Sequence, residues 1–327
     1  MVNEDATPPA ELEPGTIVSD RYRILERLGE GGMGAVFRAE HVHMRKALAV
    51  KVLRRELTSH AEVVARFERE AVAAASIDHP NVVAATDFGR LPDGSFFLVL
   101  EYVEGRSLRE ELAGGRLAPA RALAIMRGIV AGVEAAHAKG IVHRDLKPEN
   151  VMLVARPGEA EGVKVLDFGI AKMDPGEGAA PSGGAQVLTR AGAIMGTPEY
   201  MAPEQALGQA VDARTDLYSL GVMLYEMLAG RCPFQGDAVA VMRGQILDPA
   251  PPLPDEVVSE VPPGVAALVA RLLEKEPAKR PSSASELRAA LEEASDGGSR
   301  PRRMTSPSLP GAGDAPAAVI VPAPAVT

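Results

Sequence analysis

The stretch IVHRDLKPENVML, residues 141–153, places a dense group of polar side chains between two apolar ends. The group consists of His143, Arg144, Asp145, Lys147, Glu149 and Asn150. Burying polar groups costs free energy unless each of them finds a partner. A cluster this dense, anchored in apolar sequence on both sides, therefore indicates a functional loop.

The sequence around this loop predicts a mainly helical region. Residues 119–140 show the pattern of a long helix with a glycine stop. VKVLDFGIAK, residues 163–172, predicts a short strand leading into a loop, and the Gly/Pro-rich residues 173–192 predict a mobile segment. Residues 212–291 are predicted to be mainly helical.

The first hundred residues have a different character. Residues 22–52 consist of three strand-like runs separated by glycine and charged turns. Residues 59–77 carry apolar side chains at helical spacing, and Pro80 ends that pattern. Residues 82–105 predict a hairpin with its turn at LPDG.

These patterns predict an α+β fold with two lobes. We expect residues 1–20 to be a flexible N-terminal segment and residues 21–103 to form a small antiparallel-sheet lobe with one key helix. Residues 104–294 are expected to form a larger, mainly helical lobe. Residues 295–327, rich in Pro, Ala, Gly and Ser, are predicted to be a disordered tail.

Composition excludes several function classes. The 327 residues are 46% hydrophobic and 24% charged, as in ordinary globular proteins. The net charge of −9 and the lack of Trp argue against nucleic-acid binding, and a single cysteine permits no disulfide framework. The apolar stretch 217–230 is shorter than the roughly 18 residues a membrane helix needs and contains Glu226.

LGEGGMGAV, residues 28–36, has glycines in G-x-G-x-x-G spacing at Gly29, Gly31 and Gly34, followed by Val36. Glycines allow backbone N–H groups to approach a phosphate closely. A plain Gly-rich turn remains an alternative. A dinucleotide-binding turn is disfavoured because a strand, not a helix, follows, and position 51, some 20 residues on, holds a lysine rather than an acid.

Lys51 lies in LAVKVL, a predicted strand with apolar neighbours. It is either a strand lysine whose ammonium reaches water or the partner of a carboxylate on the following helix. Glu70 and Glu68 are the two candidates, and only one of them can face the sheet. Glu70 lies closer to the apolar stripe of that helix, formed by Val63, Phe67, Ala71 and Ala74.

The order of motifs resembles the protein kinase family. The glycine loop and Lys51 are followed by HRDLKPEN, by DFG at 167–169 and by APE at 202–204. The resemblance covers about residues 22–293. DLKPEN and GTPEYMAPE are similar to the serine/threonine branch, and GEGGMGAVFRAE and RFEREA with HPNVV are similar to the eukaryotic-type (Hanks-type) kinases of bacteria. A bilobal protein-kinase-like fold is thereby implied.

The resemblance also implies roles for the polar residues. Asp145 would orient the substrate hydroxyl, and Lys147 would offset charge on the γ-phosphate of ATP. Asn150 and Asp167 would hold Mg²⁺. Lys51, held by Glu70, would contact the α- and β-phosphates. Residues 141–142 and 151–153 are expected to fix the loop as short strands.

The nucleotide pocket follows from the same resemblance. The glycine loop (Gly29, Gly31, Gly34) would cover the phosphates, and backbone groups of Glu101 and Val103 would bind adenine. Leu100 would stand at the back of the pocket. Its apolar walls would be Leu28, Val36, Ala49 and Met152.

Four other matches are expected to be structural. Asp216 should brace the backbone of the catalytic loop. Glu204 should pair with Arg280 as a buried ion pair. Tyr218 stands where the family usually has Trp, a departure without expected effect on chemistry. Cys232 is expected to serve packing.

Thr189 is the predicted site of activating autophosphorylation, with Arg144 as the receiver of its phosphate. A phosphate brings close to two negative charges, which can order a loop that is too Gly- and Pro-rich to order itself. Ser182 and Thr197 are the competing hydroxyls; Thr197 resembles an unmodified structural threonine of the family. A homodimer could carry out this reaction in trans.

Three function classes remain for this sequence. An active kinase for protein Ser/Thr acceptors is favoured because Lys51, Asp145 and Asp167 are all present. A pseudokinase scaffold and a small-molecule phosphotransferase are the alternatives. We expect a cytoplasmic protein without a membrane span in this chain, or the cytoplasmic part of a membrane-anchored receptor kinase.

Overall fold

A six-stranded antiparallel sheet forms the smaller lobe, as the strand-like runs of the first hundred residues predict. The computed structural model of the protein describes residues 12–31, 34–155, 158, 160–168 and 197–296, to which all structural statements refer. The strand order is β1-β2-β3-β4-β6-β5. The strands are β1 (Ile17–Val18), β2 (Tyr22–Glu30), β3 (Gly34–His41), β4 (Ala47–Leu53), β5 (Ala85–Arg90) and β6 (Phe96–Glu101).

Helix α1 (Ala61–Ser76) packs on one face of this sheet and matches the helix predicted over 59–77. Its buried residues Phe67 and Ala71 join Leu53 and Leu98 of the sheet in one cluster. The opposite sheet face buries a second cluster that includes Val50. The alternation of β4 thus directs Lys51 toward α1 and the cleft, because neighbouring strand residues point to opposite faces.

The prediction that residues 1–20 are flexible is wrong for the part that the structure describes. Ile17 and Val18 form β1, which pairs with β2, and Leu12 packs against the same apolar cluster. Ser19 and Asp20 have φ values of 48° and 55° and turn the chain back sharply. This turn leaves Val18 only 2% exposed. Its burial favours pairing over the disorder that the Pro-rich, acidic sequence suggested. Residues 1–11 lie outside the described residues.

The larger lobe is built from helices around a single apolar core. Nearly all of α5 (Ala213–Ala229) is buried, from Thr215 to Leu228, which explains its mostly apolar sequence. Its buried Asp216 and Glu226 are the charged exceptions. A small sheet of order β7-β8-β9 lies beside the helices. The elements are β7 (Arg106–Ser107), α2 (Leu108–Leu112), α3 (Pro119–His137), β8 (Val151–Val154), β9 (Gly162–Val165), α4 (Pro203–Ala206), α5 (Ala213–Ala229), α6 (Ala238–Ile246), α7 (Asp255–Val258), α8 (Pro263–Leu272) and α9 (Ala284–Asp296).

The predicted strand at residues 151–153 is confirmed by β8, but the one at residues 141–142 is wrong. After α3 ends at His137, Gly140, with φ of 74°, turns the chain, and the Ile141 N–H donates to the Ala136 carbonyl at 3.1 Å. The N–H groups of His143 and Arg144 donate to a side chain of α5, and residues 141–142 pair with no strand among the described residues. Among the described helices, none is long and apolar enough to cross a membrane. The predicted mobile segment, residues 173–192, and residues 297–327 of the predicted tail lie outside the described residues.

Candidate active site

Three charged side chains meet in the cleft between the lobes. Lys51 Nζ lies 2.6 Å from Glu70 Oε1 and 3.2 Å from Asp167 Oδ1. Burial alone would lower the pKa of Lys51, but the charges of Asp167 and Glu70 outweigh burial and hold that pKa above its usual value. Lys51 is therefore a permanent cation. Glu68, the competing carboxylate, is exposed, so the helical stripe predicted the right partner.

The predicted catalytic residues lie together on the loop after α3. Lys147 Nζ is 3.1 Å from Asp145 Oδ2. The Asn150 side-chain amide donates to the Asp145 carbonyl at 2.9 Å. This bond commits the amide nitrogen of Asn150 and leaves its oxygen for another partner. The loop thus carries a carboxylate and an ammonium in contact, and an amide that is fixed to the backbone of the same carboxylate residue.

His143, for which no role was predicted from the sequence, holds the catalytic loop in place through both of its ring nitrogens. Its Nε2 lies 2.9 Å from the Leu166 carbonyl, and its Nδ1 lies 3.3 Å from the backbone N–H of Asp145. A neutral ring with the proton on Nε2 satisfies both contacts, since one nitrogen donates and the other accepts. The ring also packs on Phe168, with centroids 4.8 Å apart. His143 thereby links Asp145 to the segment that carries Asp167.

Asp216 braces the same loop from the buried helix α5, as the sequence predicted. Its carboxylate accepts the N–H groups of His143 and Arg144, both at 2.8 Å. His137 Nε2 lies 2.7 Å from the same carboxylate. Because the N–H groups of His143 and Arg144 donate to Asp216, they are not available to pair with a neighbouring strand.

The predicted Glu204–Arg280 ion pair is confirmed. The two side chains form a bidentate pair at 2.7 and 2.8 Å, and both are buried. Tyr218 places its ring 4.9 Å from the Arg280 guanidinium and donates to Gln245. It therefore keeps an aromatic face against the ion pair.

The glycine loop leaves little room around Gly34, where a Cβ atom would lie 1.9 Å from the Val52 carbonyl oxygen. Arg54 ties the loop down, because its guanidinium donates to Glu30 at 2.7 Å and to the Gly31 carbonyl at 3.1 Å. Nothing comes within 4 Å of a Cβ atom built on Gly29. This role of Arg54 was not predicted from the sequence. The sequence marks it only by the two arginines, Arg54 and Arg55, that follow LAVKVL.

The residues predicted to bind the nucleotide differ in exposure. Leu28 is 46% exposed, whereas Ala49 is buried. Val36, Met152 and Leu100 are half-buried. Glu101 and Val103, whose backbone groups are predicted to bind adenine, are half-buried too. The Glu101 carboxylate pairs with Lys164 of β9 at 2.6 Å. This pair links the smaller lobe to the larger one behind the pocket.

A second polar cluster, which was not predicted from the sequence, joins the catalytic loop to helices α2 and α5. Arg109 of α2 reaches Glu149 at 3.0 Å and the buried Glu226 at 2.8 Å. Tyr200 donates to Glu226 at 2.5 Å, and Cys232 contacts the Tyr200 hydroxyl at 3.6 Å. Burial raises the pKa of the Cys232 thiol to about 12, in keeping with packing rather than nucleophilic chemistry.

The predicted regulatory residues are only partly described. Arg144 has φ of 65°, and its N–H and carbonyl are both held by side chains of the larger lobe. Thr197 is half-buried at the start of the turn Pro198–Tyr200. Thr189 and Ser182 lie outside the described residues.

Residues 22–291 match the protein kinase domain. The chain belongs to the protein kinase family. Members of this family use ATP and typically a divalent metal ion.

Several relatives of this kinase domain are bacterial. The serine/threonine-protein kinase pkn3 of Myxococcus xanthus is 42% identical over 289 residues, 88% of this chain and 52% of the relative. PknB of Mycolicibacterium smegmatis is 40% identical over 278 residues, 84% of this chain and 43% of the relative. The chain thus spans about half the length of these relatives or less. The crystal structure of the Mycobacterium tuberculosis PknI kinase domain has a TM-score of 0.64 at 26% identity and covers 86% of this chain and 99% of its own.

Proposed function

We propose that the protein is a serine/threonine protein kinase that transfers the γ-phosphate of ATP to hydroxyl groups of proteins. The observation that carries the proposal is the contact of Lys51 with Glu70 and Asp167 in the cleft, together with Asp145 on a loop that Asp216 braces. Phosphoryl transfer requires mainly positioning and charge neutralisation, and these groups supply both. The names of the relatives pkn3 and PknB support the Ser/Thr specificity.

Asp145 and Lys147 act on the two reacting groups. Asp145 accepts a hydrogen bond from the acceptor hydroxyl and orients it toward the γ-phosphate. Lys147, 3.1 Å from Asp145, offsets negative charge on that phosphate and on the carboxylate itself. Because the loop backbone is held by Asp216, this geometry exists before the substrate arrives.

Asn150 and Asp167 are suited to hold Mg²⁺. Mg²⁺ prefers oxygen ligands and uses one or two protein groups together with phosphate oxygens. The Asn150 amide nitrogen is committed to the Asp145 carbonyl, which leaves its oxygen available, and Asp167 is 39% exposed in the cleft. The ion would neutralise the triphosphate, while Lys51 binds the α- and β-phosphates and Glu70 holds Lys51.

The proposal extends to the residues that bind adenine. Adenine binds between Leu28, Val36, Ala49 and Met152, with the backbone of Glu101 and Val103 as hydrogen-bond partners.

The kinase autophosphorylates at Thr189, in trans within a transient homodimer, and Arg144 receives the phosphate. The reaction takes place in the cytoplasm, where ATP is available, on a free kinase or on the cytoplasmic part of a longer receptor.

A transfer assay tests this function against the two alternatives. The protein is incubated with γ-labelled ATP, Mg²⁺ and a generic basic protein, and the acceptor is hydrolysed to identify phosphoamino acids. We expect labelled phosphoserine and phosphothreonine. Nucleotide binding without transfer would indicate a pseudokinase, and label on small-molecule acceptors alone would indicate a small-molecule phosphotransferase.

A further inference from the structure

The segment of residues 198–206, which begins within the motif GTPEY (residues 196–200), is anchored to the larger lobe through its backbone carbonyls. Gln245 of α6 donates to the Glu199 carbonyl. Ser219 of α5 donates to the Tyr200 carbonyl at 2.7 Å. Both anchors come from helices of the core, so they fix the segment to the lobe without reaching the catalytic loop.

Gln205 makes the connection that those two anchors lack. Its side-chain oxygen accepts the backbone N–H of Ala202 at 3.1 Å, which caps the first turn of α4. Its side-chain nitrogen donates to the Arg144 carbonyl at 2.9 Å. One half-buried amide therefore joins the segment 198–206 to the residue directly before Asp145.

Arg144 needs this support because of its backbone conformation. Its φ of 65° lies in the left-handed region, which is unfavourable for a residue with a side chain. Asp216 holds the N–H of Arg144 at 2.8 Å, and Gln205 holds its carbonyl. The peptide between Arg144 and Asp145 is held at its carbonyl by Gln205, at 2.9 Å, and more loosely at its N–H by His143 Nδ1, at 3.3 Å, and these two bonds restrict its rotation. Release of the carbonyl would let this peptide tilt and carry the Asp145 carboxylate with it.

We propose that Gln205 is a positioning residue that couples the segment 198–206 to the catalytic loop and sets the orientation of Asp145. The inference rests on the proposed kinase function. It assigns Gln205 no contact with substrate or nucleotide. Gln205 acts through Arg144, and so its loss should affect the transfer step rather than nucleotide binding.

The two hydrogen bonds of Gln205 can be separated by substitution. A glutamate at this position would still accept the Ala202 N–H, and a carboxylate in the first turn of a helix is favourable. It cannot donate to the Arg144 carbonyl, and its charge would repel that oxygen. Gln205→Glu therefore keeps the cap and removes the link, whereas Gln205→Ala removes both.

The experiment compares the wild type, Gln205→Glu, Gln205→Ala and the control Gln235→Glu in the transfer assay, in nucleotide titrations and in thermal unfolding. Gln235 is exposed, and its amide donates to the Cys232 carbonyl at 3.4 Å. We expect Gln205→Glu to lower kcat about tenfold, as for one lost oriented hydrogen bond, with KM for ATP and Tm close to wild type. Gln205→Ala should lower both kcat and Tm, and the control should change neither.

Two outcomes would overturn the inference. If Gln205→Glu keeps the wild-type kcat, or if folded Gln205→Ala does, Gln205 is a helix cap and nothing more. A KM for ATP that rises while kcat stays constant would equally contradict a positioning role. An inactive wild type with intact nucleotide binding would instead overturn the proposed function itself, and this inference with it.

Discussion

At the residue scale, the cleft is organised by one cation between two carboxylates. Lys51 contacts Glu70 and Asp167, and its raised pKa keeps it charged throughout the physiological range. Asp167 is the more exposed of the two carboxylates and is therefore the one available to a metal ion. Glu70 is buried and can only serve Lys51.

Glu70→Ala should lower phosphotransfer by about 100-fold, because Lys51 loses the partner that holds it over the phosphates. Its Tm should change only modestly, since Asp167 still compensates the charge of Lys51. Glu68→Ala is the matched control, because Glu68 is exposed two residues earlier on the same helix. Steady-state kinetics and thermal unfolding check both variants. Wild-type activity in Glu70→Ala, or a damaging Glu68→Ala, would contradict the assignment.

Sequence patterns identified some contacts of the site and missed others for a clear reason. The choice of Glu70 over Glu68 followed from helical periodicity, which needs only local sequence. The contacts of Arg109 with Glu226, 117 residues apart, and of Gln205 with Arg144, 61 residues apart, depend on the tertiary fold. No local pattern marks either pair. The roles of the predicted site residues stay predictions.

At the element scale, α5 and the segment around α4 form the rigid base of the site. Asp216 of α5 holds the catalytic loop, and Arg280 holds Glu204 of α4. Two predictions about short elements, at residues 141–142 and 17–18, were wrong. Residues 141–142 are apolar and resemble a strand, but Asp216 takes the backbone donors that follow them. Residues 17–18 form a strand because the turn before β2 buries Val18.

Arg280→Met should destabilise the fold by about 3–5 kcal/mol, because it leaves the Glu204 carboxylate buried without its partner. Urea denaturation gives the free energy of unfolding. The double variant Glu204→Met with Arg280→Met should recover part of the loss, since no unpaired charge remains. Lys279→Met, at an exposed neighbouring pair, is the control and should change little. A loss no larger than that of the control would show that the pair adds nothing.

Lys275 provides a test by pH. Its ammonium lies 4.2 Å from the centre of the Phe234 ring, and burial lowers its pKa from 10.5 to about 8. Between about pH 8 and 10.5 the unfolded chain binds this proton and the folded one does not, so this group makes stability rise with pH. The Tm of the wild type relative to Lys275→Met should therefore rise across that window. A constant difference between the two would contradict the lowered pKa.

At the scale of the whole molecule, two lobes meet along a few defined contacts. Val83 of the smaller lobe donates to the Val165 carbonyl at 3.0 Å, and Asn81 accepts from the Val165 N–H at 2.8 Å. Glu101 adds its pair with Lys164. The bilobal α+β fold was predictable because strand-like runs dominate the first hundred residues and helical patterns dominate the rest. The lobe contacts were not, because the two backbone bonds and the Glu101–Lys164 pair join residues that only the tertiary fold brings together.

Thr189→Ala should slow phosphorylation of an added substrate while nucleotide binding stays normal. The reason is that a phosphate on Thr189 would pair with Arg144, next to the catalytic Asp145, and order the intervening segment. Mass spectrometry of protein incubated with ATP and Mg²⁺ should find phosphate on Thr189. Ser182→Ala is the control. Full activity of Thr189→Ala would place the switch elsewhere or exclude it.

Asp145→Asn tests the account most directly, because the exchange keeps the size of the side chain and removes only its charge. We expect phosphotransfer to fall by at least about 100-fold, with Mg²⁺-ATP affinity and Tm close to wild type. Asp167→Ala should instead weaken Mg²⁺-ATP binding, and Asp248→Asn, on the surface, should change neither. The measurement is transfer of labelled phosphate to protein beside nucleotide titration of the same samples. Wild-type turnover by Asp145→Asn would contradict the central claim that this carboxylate orients the acceptor hydroxyl.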